Sequence, residues 1–329
     1  MSNTLKEKKA GLFVKHPAVK HKAIILAALV AIWIAFRCLS PNYLSYTNIM
    51  TILLATSVNG ILALGVAWTI MTGGIDISIG TVMTFSCICS GLLFISGLPI
   101  VVAIIAGILV GALCGFCNGV MSAKLGLPPM IATLSMQMIT KGLSLVFSEC
   151  KPVYFSDCSW YQKLATGSFL GIKGFYNAII ILLVLALISY FLFAKTILGR
   201  YTLAIGSNRE AARLSGINVD RWLIAIFSVC GAYAGIAGLV MSSRLNSAQP
   251  ALGPGYEMDA IAAAVIGGNS LSGGEGTIGG VIIGALIISS IQNGLRLMQV
   301  STESQSAIIG VVLIIAVAFD QMSKKRKKN

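Results

Sequence analysis

The sequence predicts an all-α polytopic membrane protein with about ten transmembrane helices, one or more of them short or broken. Three observations carry that prediction. Of the 329 residues, 56% are hydrophobic and only 11% charged, against roughly 25% charged in soluble domains. Apolar runs of about 20 residues, the length that crosses a bilayer, recur along the chain. The 24 lysines and arginines, which against 11 aspartates and glutamates give a net charge of +13, gather at the two ends and in a few loops, as the positive-inside rule expects of cytoplasmic segments. A large soluble protein with a greasy core would show no such recurrence.

Residues 1–22 form a basic cytoplasmic tail, in which Pro17 interrupts any helix. Ala23 to Phe36 is a first, outward span; no small-x-small cleavage site follows it, so it is not a signal peptide core. Pro41 to Asn48 carries no charge and reads as outside. Ile49 to Met71 returns inward and ends at TGGIDISIG, Thr72 to Gly80, a helix break near the inner face. Irregular backbone at that depth must be enclosed by protein or water. Thr81 to Leu98 and Pro99 to Ala123 are the third and fourth spans. In the fourth, Gly107, Gly111, Gly115 and Gly119 recur every four residues, which puts them on one helix face for close packing against a neighbour.

Leu127 to Phe147 is a more polar fifth span, with Lys141 placed to snorkel. Ser148 to Phe175 is the longest outside loop, and its Tyr154, Trp160 and Tyr161 suit an interfacial belt or a docking surface. Tyr176 to Ala194 delivers the chain inward to the loop 196–222. Leu223 to Ser243 is the seventh span and Arg244 to Glu257 an outside loop. Met258 to Ile266 is too short to cross alone and runs into the glycine-rich inner turn Gly267 to Gly280. Ile278 to Met298 and Ser306 to Phe319 complete the set. One transmembrane domain, 23–320, thus lies between the tail 1–22 and a second cytoplasmic basic tail, 321–329. Eight or nine spans result if the fifth or eighth segment is re-entrant.

Gly107 to Val120 and Gly280 to Leu295 share GxxxGAL and a later Asn-Gly. The two helices run in opposite senses, so the pair points to an inverted repeat, a device of transporters with the pathway at the repeat interface. The eight cysteines suggest no metal site: Cys114 and Cys117, like Cys87 and Cys89, sit in apolar helices as small packing residues. Cys150 and Cys158 fall in the outside loop, where a disulfide is possible.

Enzymatic and self-powered transport chemistry is absent from the pattern. No GxxxxGK[ST], HExxH or GxSxG occurs, and both histidines lie in the amino-terminal tail. Ion-driven carriers place several ionisable groups at mid-membrane, whereas Asp76 and Lys141 lie near span ends. The basic runs flank apolar spans, which fits anchoring to a lipid bilayer and not nucleic-acid binding. Asn59, Asp76, Asn118, Gln137, Asn269, Gln292 and Asn293 are the polar groups placed to line a wet path; as interhelical glue each would contribute about 0.6 kcal/mol.

The longest polar interruption is Leu198 to Trp222, LGRYTLAIGSNREAARLSGINVDRW, with four arginines and a short helix expected over Ala204 to Leu214 between Gly206 and Gly216. Arg200 and Arg221 read as membrane-edge anchors.

Three stretches in this order, TGGIDISIG (Thr72 to Gly80), AIGSNREAARLSGINV (Ala204 to Val219) and AAAVIGGNSLSGGEGTIGG (Ala262 to Gly280), make the chain resemble the membrane permease subunits of bacterial ABC importers of the ribose/xylose/galactose/autoinducer-2 group, from Asn48 to Asp320. Ten spans with both termini cytoplasmic satisfy the charge rule. The resemblance implies a bacterial inner-membrane protein without cofactor or enzymatic activity of its own. It implies three kinds of partner: two ATP-binding cassette subunits, an extracytoplasmic substrate-binding protein, and a second permease copy in a homodimer or heterodimer. It places Gly206, Asn208, Arg209, Glu210, Ala211, Ala212, Arg213 and Gly216 where the ATPase couples. The expected solute is a monosaccharide or related small polar molecule. A permease for nucleosides or branched-chain amino acids, or a self-sufficient carrier, are the competing readings.

Overall fold

A computed structural model describes residues 17–155, 158–169, 171 and 174–328. Most of the amino-terminal tail lies outside the described residues. Two helices form the core of the bundle. α2 (Tyr46–Met71) follows α1 (Pro17–Leu39), and α10 (Val219–Leu245) comes late in the chain, yet the two pack side by side. Every residue of α2 from Thr56 to Met71 is buried, as befits a helix that is apolar all round. Ser45 caps its start by accepting a hydrogen bond from Asn48 N at 3.4 Å.

α3 (Ile79–Ile95) and α4 (Ile100–Ala123) cover one side of α10. The α4–α10 seam is a contact of backbones. A Cβ on Gly115 would strike Phe227 O, and one on Gly231 would strike Gly111 O. Leu109, Leu113 and Phe116 meanwhile point outward, 47–61% exposed. Small residues inward and large apolar ones outward is the pattern of a helix whose outer face meets lipid. The four-residue glycine spacing therefore does what was expected of it.

α5 (Pro129–Phe147) begins with proline in its first turn and packs on α3. Its Thr133 side chain stitches the irregular stretch between α2 and α3: Ile77 N donates to Thr133 Oγ1 at 3.2 Å, and Thr133 Oγ1 donates to Ile75 O at 3.2 Å. The break at Thr72 to Ser78 is enclosed by protein, as its position requires.

The loop after α5, read from sequence as an outside loop, differs from expectation. It contains β1 (Val153–Tyr154) and α6 (Ser159–Thr166), and β1 pairs antiparallel with β2 (Ser247–Ala248), Val153 opposite Ala248 and Tyr154 opposite Ser247. The chain is thus helical but for one two-stranded ladder among the described residues. Trp160 and Tyr154 are exposed, but Tyr161 is fully buried. Its hydroxyl is shared with Ser242 Oγ at 2.6 Å and donates to Leu239 O at 3.2 Å, so Tyr161 anchors the loop to α10 and is no belt residue. Cys150 and Cys158 are both free thiols, and the disulfide is not formed.

α7 (Asn177–Lys195) leads to α8 (Ile197–Ser207) and α9 (Arg209–Leu214), two short helices where one had been expected. α10 continues past its predicted end, so Arg244 stands in its last turn and not in a loop; Asn246 closes it in the left-handed conformation, φ +53°. α11 (Tyr256–Ile266) is the expected short helix and packs against α2 and α12 (Ile278–Leu297). α13 (Thr302–Lys328) lies against α11 and α12, and α1 clasps α12 through Trp33 Nε1, which donates to Ser290 Oγ at 3.0 Å.

Among the described residues, six helices are long and apolar enough to cross a membrane: α2, α4, α5, α7, α10 and α12. Three shorter apolar helices, Ala23–Leu39, Ile79–Ile95 and Thr302–Ile315, accompany them.

Candidate functional site

Two places concentrate the polar and motif residues. The first lies at the end of the bundle where α2 stops. Met71 O accepts a hydrogen bond from Gly274 N at 3.0 Å. Gly206, in the last turn of α8, sits so close to both Met71 O and Gly274 N that any Cβ would overlap them. Gly273, at φ +78°, is crowded in turn by Gly73 N and Gly206 O. Only glycine supplies both the close approach and the left-handed φ there. The three stretches that carry the resemblance, distant in sequence, meet at this junction.

α9 projects from it. The helix starts at Asn208, which is extended (φ −160°, ψ 109°) and whose Oδ1 accepts from Ala211 N at 3.0 Å. It ends in a Schellman turn: Ile217 N donates to Ala212 O at 3.1 Å, Gly216 N to Arg213 O at 3.0 Å, and Gly216 takes φ +82°. Gly206 is therefore not the start of the exposed element, as the sequence had implied; Asn208 is. Ala212 is buried against Ile205, Val219 and Leu223 and holds α9 to the body. Arg209, Glu210, Ala211, Arg213 and Gly216 are exposed, and Leu214 is 90% exposed. Arg213 pairs with Asp220 at 3.3 Å in the open, a contact that contributes little to stability. Arg200 and Arg221 are exposed at the same region.

The second place is a cavity of about 540 Å3 where α10 and α12 finish and α11 and α13 begin. Asn59 Nδ2 donates to Gln292 Oε1 and to Ser289 Oγ, each at 3.4 Å, and Gln292 Nε2 donates to Asp259 Oδ2 at 2.7 Å. Arg244, Tyr256 and Arg296 line the same space. Beside it, Gln137 Nε2 donates to Glu257 Oε1 at 3.1 Å, and Glu257 Oε2 accepts from Gly255 N at 3.0 Å.

The remaining polar residues are engaged elsewhere. Asp76 Oδ1 accepts from Ser78 N at 2.9 Å and Ser78 Oγ at 2.6 Å, while Asn118 Nδ2 donates to Ser78 Oγ at 2.9 Å; both Asp76 and Asn118 are buried. Asn269 Oδ1 accepts from Thr277 N at 2.8 Å and so closes the turn before α12. Asn293 Oδ1 accepts from Asn48 Nδ2 at 2.9 Å, away from the cavity. The structure thus gathers Asn59 and Gln292 at one cavity, sets Gln137 beside it, and gives the other four local partners. Asp259, Glu257, Arg244 and Tyr256 were not singled out from sequence. The signal was there: two acids spaced i, i+2 in the first turn of a short helix that is otherwise apolar.

Among the described residues no group of three or more His, Cys, Asp or Glu is placed to hold a metal ion.

The family model for the permease component of branched-chain amino acid transport systems matches residues 48–317. The chain is 41% identical over 284 residues to the ribose import permease protein RbsC of Bacillus subtilis, covering 86% of this chain and 87% of that one. It is 38% identical to RbsC of Escherichia coli K12, covering 94% and 95%, and 39% identical to the D-allose transport system permease protein AlsC of the same strain, covering 92% and 91%. No solved structure matches the chain. With a family model across most of its length, and relatives alike over nearly all of theirs, this chain belongs to the family of permease components of ABC importers.

Proposed function

We propose that this chain is the membrane permease subunit of an ATP-driven importer and that its solute is a monosaccharide. The carrying observation is the agreement among near full-length relatives. Those named for ribose and allose are joined by the fructose import permease FrcC of Rhizobium meliloti at 35% identity and the L-arabinose permease AraH of Azospirillum brasilense at 33%. The label of the family model names branched-chain amino acids, but a family model covers a broader set of chains than relatives at this identity do, so the sugars weigh more.

Partners and topology follow from that reading. Two ATP-binding subunits on the inner side supply the energy and hydrolyse the ATP; a substrate-binding protein delivers solute outside; a second permease copy completes the path. The exposed α9, with Asn208, Arg209, Glu210, Ala211, Arg213 and Gly216 on its surface and Ala212 as its root, is the element the ATPase grips. Gly206 seats α8 on the body beneath it. Charged, solvated groups suit a reversible contact. Both termini are then cytoplasmic, with basic tails over 1–22 and 321–329 and one transmembrane domain over 23–320. The ten spans are the six long helices, the three shorter apolar ones, and α11 as a half-span.

An inverted repeat of α4 and α12 is supported by their shared use of a glycine face. Gly111 and Gly115 meet α10, while Gly284 and Gly280 meet Ala263 and Gly267 at α11. For the solute path, Asn59, Gln137 and Gln292 are the residues we retain. Asp76, Asn118, Asn269 and Asn293 are better explained as scaffolding, each already bonded within the bundle.

Reconstitution of the permease in liposomes with its ATP-binding and receptor partners tests the reading. Labelled D-ribose, D-allose, D-fructose and L-leucine are offered in turn. Sugar accumulation that depends on ATP is the expected result; accumulation of leucine alone, or transport by the permease without its partners, would overturn it.

A further inference from the structure

The cavity of about 540 Å3 falls within the roughly 300–1,000 Å3 typical of small-molecule sites. Its hydrogen-bonding groups are arranged in an uneven way. Gln292 is consumed at both ends, accepting from Asn59 and donating to Asp259 Oδ2 at 2.7 Å. That relay fixes the Asp259 carboxylate and leaves its other oxygen without a hydrogen bond from the described residues. Across the same space, Arg244 is half-buried, and neither it nor Arg296 has a carboxylate within ion-pair distance among the described residues. The cavity therefore presents a fixed acceptor, two guanidinium donor groups, and walls that are otherwise mostly apolar, supplied by side chains such as Val58, Met241 and Leu313.

From this arrangement we propose that the cavity between α2, α10, α11, α12 and α13 is a transient binding site for an uncharged polyhydroxylated solute, with Asp259 accepting from its hydroxyls, Arg244 donating to them, and Asn59 and Gln292 as positioning residues that aim the carboxylate. This deepens the sugar-importer reading and rests on it. An anion would meet the Asp259 carboxylate and a cation the two arginines, whereas a hydroxyl both donates and accepts and so satisfies both sides. Burying either charged side without such a partner is costly. The apolar walls match the C–H faces of a sugar ring.

The complete importer, reconstituted with its ATP-binding and receptor partners, is the test object, and D-ribose is the probe. Uptake and ATP hydrolysis are measured together. Asp259→Asn and Arg244→Gln are expected to lower ribose moved per ATP by about tenfold each, the size of one lost charge-assisted hydrogen bond, while receptor-stimulated hydrolysis stays near the wild-type rate. Asp259→Glu should recover part of the loss, which a purely structural role for the carboxylate would not allow.

Gly310 provides a variant that spares the polar groups. It lines the cavity, and a Cβ there meets nothing within 4 Å, so Gly310→Phe fills the space without a clash at its root and should block uptake as strongly. Wild-type coupling in Asp259→Asn, Arg244→Gln and Gly310→Phe together would overturn the proposal, the cavity then being filled by lipid or by a second copy. A wild-type importer that moves no monosaccharide would overturn the functional reading, and this inference with it.

Discussion

Gly206 shows how little room the junction at the end of α2 leaves. Its missing side chain is replaced by the backbone of Met71 and Gly274, so Gly206→Val must push α8 away from the end of α2. Overpacking of this kind costs about 1–3 kcal/mol, and a lowered melting temperature in detergent is the expected reading. Asn208→Ala removes the cap from a helix of six residues, at a cost of about 1 kcal/mol. The exposed turn should fray and become the first site cut by a protease added to inside-out vesicles. Arg213→Glu disturbs no packing, because the side chain is solvated. ATP-dependent uptake should be lost while membrane insertion is unchanged, and normal uptake by that variant would remove α9 from the ATPase contact. Residue spacing made the junction glycines visible as punctuation in the sequence. Their role as mutual contacts was not visible, because it depends on which loops meet.

At the scale of elements, the α4–α10 seam is where sequence periodicity and packing agree best. Four glycines at one spacing in α4 announce a face, and Gly231 and Gly235 in α10 answer it. Gly111→Leu should split this seam and lower the yield of folded protein, measured as the monodisperse fraction in size-exclusion chromatography; Gly142→Leu, where a side chain meets nothing within 4 Å, is the control expected to behave as wild type. The division of the segment between α7 and α10 into α8 and α9 was harder to read. Apolar periodicity runs on through Ala204 to Leu214, and the interruption is a single Asn208 whose side chain bonds to Ala211 N more readily than its backbone continues the helix. The β1–β2 ladder lies beyond reach of local pattern altogether. Two residues on each strand, almost a hundred positions apart, carry no alternation long enough to register.

The whole molecule is organised by which helices are central, and that order is not written along the chain. α2 and α10 are less hydropathic than α4 and α7, yet the first pair is mostly buried and the second mostly exposed. What separates them is partner number, a property of the assembled bundle. The cavity illustrates the same limit: Asn59 and Gln292 were legible as polar groups in apolar spans, but Arg244 looked like a loop charge until the end of α10 was known, and Asp259, within the expected short helix, was not singled out. The orientation of the chain has a direct test. Cysteines placed at Leu214 and at Trp160, both well exposed, should react with impermeant reagents from opposite sides of the membrane. Cys150, an exposed free thiol, should label from the same side as the Trp160 position without prior reduction.

The brevity of α11 bears on how the protein responds to its surroundings. Eleven residues rise about 16 Å, roughly half the hydrocarbon thickness of a bilayer. Its first turn holds Asp259 at the cavity, and the loop after its last turn rests on Gly206 through Gly273 and Gly274. Long spans are tuned by the bilayer, tilting when it thins and straightening when it thickens. α11 begins at the cavity, packs along α2 and α12, and ends among protein atoms, with Gly267 against Gly280. Its axial position is set by the bundle alone, so a change of lipid chain length should tilt the outer helices while leaving the distance between junction and cavity as it was. The protein carries its own ruler between the two places proposed to serve transport.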